Sequence, residues 1–247
     1  MNAAPAVVVT GSSGDIGRAL CDAFKADGFY VVGIDKVVKG DRSDAFLKID
    51  LARLSSESDY LRRSLRTIRT AIGKRPLHAL VNNAAVQIVK RVEALNAADW
   101  RATLDVNLLA PFLLTRELLS LLERNAGSVV NIGSIHAKLT KPKFTSYASS
   151  KAGLEGLTKS LAVELGGRIR VNAISPAAVS TSMLRAGFRG KSSLLRKLEN
   201  AHPVKRIARP EEIASAARYL ASDQAGFITG SVMEVHGGIG ARLHDPL

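Results

Sequence analysis

Ala6-Val7-Val8-Val9-Thr10-Gly11-Ser12-Ser13-Gly14-Asp15-Ile16-Gly17 reads as a β-branched run that breaks into a glycine-rich turn and then into a helix, and the rest of the chain repeats that grammar. The helix continues to about Asp27 with apolar residues at helical spacing. Phe29 to Asp35 reads as a second buried strand and Phe46 to Asp50 as a third. Tyr60, Leu61, Leu65, Ile68 and Ile72 mark one face of another helix. Ala79 to Asn82, Ser128 to Ile132, Arg170 to Ile174 and Val232 to Val235 are further short apolar runs, with helical stretches at about 98–123, 145–166 and 211–222 between them. Strands that are apolar throughout are buried on both faces, and in alternation with helices they build a parallel sheet covered on both sides. The pattern predicts one doubly wound, Rossmann-type α/β domain over 1–247, without linker, repeat or low-complexity stretch.

Sheets of this kind bind ligands beyond the carboxyl ends of their strands, where the strand order reverses. The residues just after each run are Thr10-Gly11, Asp35, Asp50, Asn82-Asn83, Ser134 and Ser175-Pro176, all polar or turn-forming. In the first turn, glycines let the backbone approach a pyrophosphate, and the helix start offers unpaired N–H groups and a positive dipole end. Asp35 closes the second run at about the 20-residue offset expected for a carboxylate on an adenosine ribose. A carboxylate there accepts from both ribose hydroxyls and repels a 2′-phosphate, which predicts NAD rather than NADP. Lys36, directly after it, softens that exclusion.

Composition bounds the remaining choices. The 247 residues are 46% hydrophobic and 23% charged, enough for a sizeable core. No apolar run approaches the roughly 18 residues of a membrane span, and Met1-Asn2-Ala3-Ala4-Pro5 lacks the basic start of a secretory signal. Cys21 stands alone, so neither a disulfide framework nor a cysteine metal cluster is expected. These features predict a cytoplasmic protein without a membrane partner. His78, His136, His202, His236 and His244 have no ligand spacing with acidic residues, so no metal is expected. Thirty-five Lys and Arg against 22 Asp and Glu give +13, which points to an anionic partner. With 5% aromatics and no basic segment interleaved with stacking rings, nucleic acid is not the expected one.

Tyr147 and Lys151 lie one helical turn apart and project from one face of a helix that follows the strand ending near Ser134. An ammonium beside a phenol stabilises the phenolate and lowers its pKa from about 10 towards neutrality. Tyr147 can then exchange a proton with a substrate hydroxyl or carbonyl, Ser134 can bond the same oxygen, and a nicotinamide carries the hydride. Pro111 has no N–H, so the Asn107 carbonyl loses its intrahelical partner and is free to hold a water.

With the Thr10-Gly11 turn, Asp50-Leu51, Asn82-Asn83-Ala84, Asn107, Ser134, Tyr147-x-x-x-Lys151 and Pro176 to Thr181 in this order, the sequence resembles the short-chain dehydrogenase/reductase family over nearly its whole length. The resemblance implies catalytic roles for Asn107, Ser134, Tyr147 and Lys151, with a water at Asn107 extending a proton relay through the lysine. It implies cofactor contacts from Gly11, Ser13, Asp15, Ile16, Gly17 and Asp35, and adenine contacts from Asp50 and Leu51. Asn82 and Ala84 would line the dinucleotide groove, while Tyr147, Lys151, Pro176, Val179 and Thr181 would meet the nicotinamide end. A homo-oligomer, dimer or tetramer, is implied through pairing of the helices around 98–123 and 145–166. Three positions depart from the family pattern: Asp15 stands where the middle glycine is usual, Ala85 ends the Asn-Asn-Ala motif, and Ala177 follows Pro176. Asp15 is expected either to alter cofactor affinity or to cap the helix.

Basic residues gather around the expected mouth: Lys90, Arg91, Lys138, Lys141 and Lys143, then Arg185, Arg189, Lys191, Arg196, Lys197, Lys205, Arg206 and Arg209, with Glu199 as the sole acid in that last stretch. By resemblance, about 180–209 is a mobile substrate lid. A cationic rim concentrates anionic ligands; a merely solvated basic face is the bland alternative. Gln87 and His136 look like the carboxylate-binding pair of bacterial D-3-hydroxybutyrate dehydrogenases, although the lysine of that site is Phe144 here, with Lys143 one place off. Gln87, Ser134, His136, Lys143, Tyr147 and Arg185 are thus the candidate substrate residues, for a small anionic hydroxy or keto compound such as a hydroxy acid or acidic sugar. Two alternatives stand beside it. One is a reductase of 3-oxoacyl thioesters on coenzyme A or acyl carrier protein; the other is a non-catalytic dinucleotide or nucleic-acid binder.

Overall fold

The computed structural model describes residues 3–243. Seven strands, β1 (Ala6–Thr10), β2 (Tyr30–Asp35), β3 (Ala45–Lys48), β4 (Leu77–Asn82), β5 (Ser128–Ile132), β6 (Arg170–Pro176) and β7 (Val232–Val235), form one sheet in the order 3-2-1-4-5-6-7. Every pairing is parallel, and all of β1 and β5 is buried. This is the doubly wound α/β architecture. Successive side chains of a strand point to opposite faces, so Val8 joins one core with Leu80, Val129, Ile68, Leu114 and Leu161. Val7 and Val9 join the other, with Leu20, Phe24, Ile213 and Leu220. The helices α1 (Asp15–Ala26) and α9 (Pro210–Ala221) supply the second face, and α3 (Ser58–Ile72), α5 (Ala110–Glu123) and α6 (Thr145–Leu165) the first.

Three local features differ from the sequence reading. The third strand stops at Lys48, and Asp50 instead caps α2 (Leu51–Ser56), its carboxylate accepting from the Ala52 N–H at 2.9 Å. An edge strand has hydrogen bonds on one side only, so a capping carboxylate easily ends it. The helix expected over 98–123 is α4 (Ala97–Leu104) and α5 joined by a π turn over Asp105–Leu109. Pro111 cannot donate to Asn107, and the Ala110 N–H bonds back to the Asp105 carbonyl, widening the turn. The 180–209 segment carries two helices, α7 (Ser182–Gly187) and α8 (Ser192–Ala201), neither of which has a buried residue. Its two ends close on each other: Val179 pairs with Ala208, and the Ser180 N–H donates to the Ala208 carbonyl at 2.8 Å.

The order reverses between β1 and β4, and two glycines make the crossing there possible. Gly11 has φ +65°, and a Cβ on it would lie 2.9 Å from the Ala84 Cα. A Cβ on Gly17 would lie 1.9 Å from the Gly11 carbonyl oxygen, so α1 can start this close to β1 only with glycine at that place. Gly17→Ala must push α1 off the turn and is expected to destabilise the fold by about 3 kcal/mol, at the upper end of overpacking costs. Urea unfolding measures it; a loss below about 1 kcal/mol would mean that the turn yields instead.

Candidate active site

The ends of β1 and β4 are locked together by side chains. Thr10 Oγ1 accepts from the Asn83 and Ala84 N–H groups, both at 3.0 Å, and Asn83 Nδ2 donates to the Thr10 and Gly11 carbonyls at 3.0 and 3.1 Å. Beside this lock, α1 begins after Gly14 with no side-chain cap, which leaves first-turn N–H groups free for an anion. The bare backbone at Gly11 and these donors fit a dinucleotide pyrophosphate. Asp35 sits partly exposed at the end of β2, where its carboxylate accepts from the Ser13 N–H at 3.1 Å and the Val37 N–H at 3.3 Å. Each oxygen retains acceptor capacity for a ribose. Ser13 Oγ donates to the Val37 carbonyl at 2.7 Å, so the turn is tied to β2.

Further along, Asp50 serves as the α2 cap, its N–H donating to the Tyr60 phenol at 3.0 Å, and Leu51 is buried. The Asn82 side chain is buried and donates to Asn131 Oδ1 at 2.8 Å, while Asn131 donates on to Thr158. Only the main chain of Asn82, with Ala84, can line a groove. Pro176 ends β6, Val179 is buried just before the 180–209 segment, and Thr181 Oγ1 accepts from the Leu184 N–H as the α7 cap. Asp15 does not cap α1, because Gly14 holds that position and no side chain bonds the first turn. Its carboxylate accepts from the Ser182 N–H and hydroxyl, each at 2.7 Å.

Ser134, Tyr147 and Lys151 meet at the adjoining rim. Ser134 is buried, accepts from the His136 N–H at 3.1 Å, and lies close enough to the Tyr147 phenol to favour its ionised form. Lys151 is fully buried and donates to the Ile132 carbonyl at 2.7 Å, with its ammonium 5.8 Å from the centre of the Tyr147 ring. Burial pushes the Tyr147 pKa up despite Ser134, and burial pushes Lys151 down to about 8. The expectation that the lysine drives the phenol towards neutrality is therefore corrected for the protein alone. Removal from water penalises both charged forms, and the ammonium is spent on a carbonyl rather than aimed at the phenol. Asn107 is wholly buried: its Oδ1 accepts from the Val86 N–H at 2.8 Å, and its Nδ2 donates to the Val86 carbonyl and to Ser150 Oγ, both at 2.9 Å. Ser150 Oγ donates in turn to the Tyr147 carbonyl at 2.7 Å, so Asn107 helps to fix the first turn of α6.

On the substrate side, the His136 ring stacks on Phe144 with centroids 4.5 Å apart and planes 1° from parallel, and both rings meet Tyr147 edge-on. Burial and Lys141 push the His136 pKa down to about 4, so its ring is neutral at physiological pH. Gln87 is half-buried on the loop after β4. Lys143 is exposed with φ +77°, its carbonyl accepting from the Lys90 N–H. Arg185 donates to the Ser180 carbonyl at 2.9 Å and lies 3.8 Å from Asp15, so its charge is engaged at the base of the 180–209 segment. Several cations of the expected rim are paired: Lys90 with Asp99, Lys138 with Glu234, and Arg206 and Arg209 with Glu212. Glu199 is thus not the only acid opposing the cations of the 180–209 segment; Glu212 lies just beyond it in sequence and Asp15 far from it.

Asn83, Ser150 and Ser182 are the contributors that the motifs did not single out as site residues. Asn83 lies inside a noted motif, but its lock on Thr10 exists only once two strands distant in sequence are neighbours. Ser150 carried a signal, one helical turn before Leu154 on the face of α6 that is buried, and a polar residue there needs partners.

The lowered pKa of Lys151 has a consequence for stability. Between pH 8 and its ordinary 10.5, the unfolded chain holds a proton that the folded one does not. Stability from this group therefore rises with pH across that window. The unfolding free energy of the natural protein minus that of Lys151→Met is expected to rise by about 3 kcal/mol over the window. A flat difference in urea titrations would show that the ammonium is solvated.

Comparison with known proteins closes the assignment. The family model described as enoyl-(acyl carrier protein) reductase matches residues 11–240. An acetoacetyl-CoA reductase of Cupriavidus necator is 31% identical, over 94% of this chain and 96% of that one. An uncharacterized short-chain type dehydrogenase/reductase of Sinorhizobium fredii is 38% identical over 94% of this chain, which spans 43% of its length. Among solved structures, the aldohexose dehydrogenase of Thermoplasma acidophilum superposes with a TM-score of 0.91 at 29% identity, covering 99% of this chain and 97% of that one. A 4-hydroxyisoleucine dehydrogenase complexed with NADH superposes with a TM-score of 0.86 at 29% identity, over 97% of this chain and 100% of the other. The chain, with its parallel sheet, glycine turn and Ser134–Tyr147–Lys151 rim, belongs to the short-chain dehydrogenase/reductase family of oxidoreductases.

Proposed function

We propose that this oxidoreductase uses NAD to interconvert a secondary alcohol and a ketone on a small anionic hydroxy or keto compound. The observation that carries the reaction class is the convergence of Ser134, Tyr147 and Lys151 at the carboxyl edge of the sheet, next to the uncapped start of α1. A nicotinamide bound there supplies or receives the hydride. In the reducing direction the Tyr147 phenol, kept protonated by burial, gives its proton to the carbonyl oxygen while the Ser134 hydroxyl bonds the same atom. Lys151 holds positive charge near that exchange, and the Asn107 carbonyl, with no N–H to meet on Pro111, is the place for a relay water. Asp35 supports NAD, since a carboxylate at the end of β2 would accept from the ribose hydroxyls and repel a 2′-phosphate. The 4-hydroxyisoleucine dehydrogenase is complexed with NADH, while a gluconate 5-dehydrogenase of equal TM-score has bound NADP, so the preference for NAD rests on Asp35.

For the substrate, the lid cations Arg189, Lys191, Arg196, Lys197 and Lys205 have no acidic partner among the described residues, and they support an anionic ligand. The neutral His136 ring would act as a hydrogen-bonding and packing group beside Phe144 rather than as a counter-ion. A second reading, reduction of a 3-oxoacyl thioester, is favoured by the acetoacetyl-CoA reductase relative, and the same free cations would suit the phosphates of coenzyme A. Exposed Val163 on α6 and Phe227 before β7 are apolar surfaces that a second copy would cover in a homo-oligomer.

The deciding assay follows reduced-nicotinamide absorbance with NAD(H) or NADP(H) against hydroxy acids, sugars, neutral alcohols and acetoacetyl-CoA. Turnover with NAD confined to small anions supports the first reading, and NADPH-linked reduction of the thioester selects the second. Tyr147→Phe should lose turnover by at least about a hundredfold, as for removal of a general acid, with dinucleotide affinity nearly intact; retained turnover would overturn the mechanism. Asp35→Ala is expected to relax discrimination against NADP, and an unchanged cofactor ratio would mean that another group reads the ribose.

A further inference from the structure

We infer that Asp15 is a positioning residue, a latch whose carboxylate fastens the first lid helix to the glycine turn and must let go for the dinucleotide to exchange. Its place carries the argument. Asp15 is the first residue of α1, so its side chain stands beside the N–H groups that face a pyrophosphate. Its Oδ2 accepts from both the N–H and the hydroxyl of Ser182 at 2.7 Å, and its Oδ1 from Arg18 at 2.8 Å, with Arg185 3.8 Å away. Burial pushes the Asp15 pKa up, but the Ser182 bonds, Arg18 and Arg185 outweigh it, and the group remains a carboxylate. Two charge-assisted bonds to one serine, reinforced by an arginine one turn on, make a specific contact rather than a passing one.

The rest of the lid makes that contact decisive. No residue of α7 or α8 is buried, so apolar packing holds neither helix firmly. The far end is anchored by His202, buried after α8, and by the Val204 N–H donating to the Gly237 carbonyl at 3.3 Å. The two ends meet in the Val179–Ala208 bridge, a natural hinge. On the α7 side, the polar ties to the body among the described residues all end on Asp15. A glycine, the residue usual at this position of the turn, would leave Ser182 without its acceptor. The latch itself stands on these contacts; its consequence for cofactor exchange rests on the dinucleotide reading above.

Limited trypsin digestion of the full chain without dinucleotide tests the latch, read by mass spectrometry of cuts after Arg185 and Arg189. Asp15→Ala should accelerate those cuts about tenfold, the scale of a lost charge-assisted bond, with the thermal midpoint of the domain unchanged. Ser182→Ala, which keeps the main-chain bond, should fall between, and the double variant should match Asp15→Ala because both remove one interaction. Unchanged cleavage in Asp15→Ala would overturn the latch, and Ser182→Ala decides it if that variant fails to fold. Stopped-flow release of NADH should quicken about tenfold in Asp15→Ala; freer cleavage with unchanged release would overturn the coupling to exchange. If the natural protein binds no dinucleotide, the cofactor reading fails alone, and the proteolysis still decides the latch.

Discussion

The structure depends on a close approach between two strands that are far apart in sequence. Where β1 and β4 part, Thr10 and Asn83 bond each other's backbones, and Gly11 lies so near Ala84 that no side chain fits between them. That lock sets the height of the first turn and, through Gly17, the start of α1. A helix that begins there without a side-chain cap presents its N–H groups to whatever fills the crevice. The anion site follows from main-chain geometry, which explains how an aspartate can occupy a customary glycine position without closing it. The Asp15 carboxylate turns outward, to Ser182 at the start of α7.

The rim of Ser134, Tyr147 and Lys151 is built by a second set of buried polar bonds. Asn107 reaches it because Pro111 forces a π turn, which accompanies an inward-facing Asn107 side chain bonded to Val86 and Ser150. Ser150 passes the constraint to the main chain at Tyr147. These groups have little access to water, so each must find a partner, and the resulting network leaves α6 few alternative positions. Lys151 is the costly member. Its ammonium is buried against one carbonyl, a placement that packing alone would not favour.

Charge is distributed less simply than its sum suggests. Lys90, Lys138, Arg206 and Arg209 are matched by acids, and Arg185 is engaged by Asp15. The cations of the 180–209 segment that have no acidic partner among the described residues lie mainly on and around α8. The His136 ring, held neutral, stacks on Phe144 beside Tyr147, and the Lys141 ammonium lies 4.7 Å from the centre of the Phe144 ring.

The sequence by itself determined the alternation of buried strands and helices, because apolar runs and helical periodicity are local properties of burial. It also marked Gly11, Gly17, Asp35, Ser134, Tyr147 and Lys151, since they stand at strand ends or on one helical face, where spacing alone constrains direction. The tertiary structure decided what those groups touch. The Asn83 lock, the Ser182 bonds to Asp15 and the pairing of Arg206 with Glu212 need neighbours that only folding supplies. The protonation of Tyr147 and His136 was decided there too, because burial is a property of the whole molecule; it outweighs the Ser134 hydrogen bond at Tyr147 and acts together with the Lys141 charge at His136.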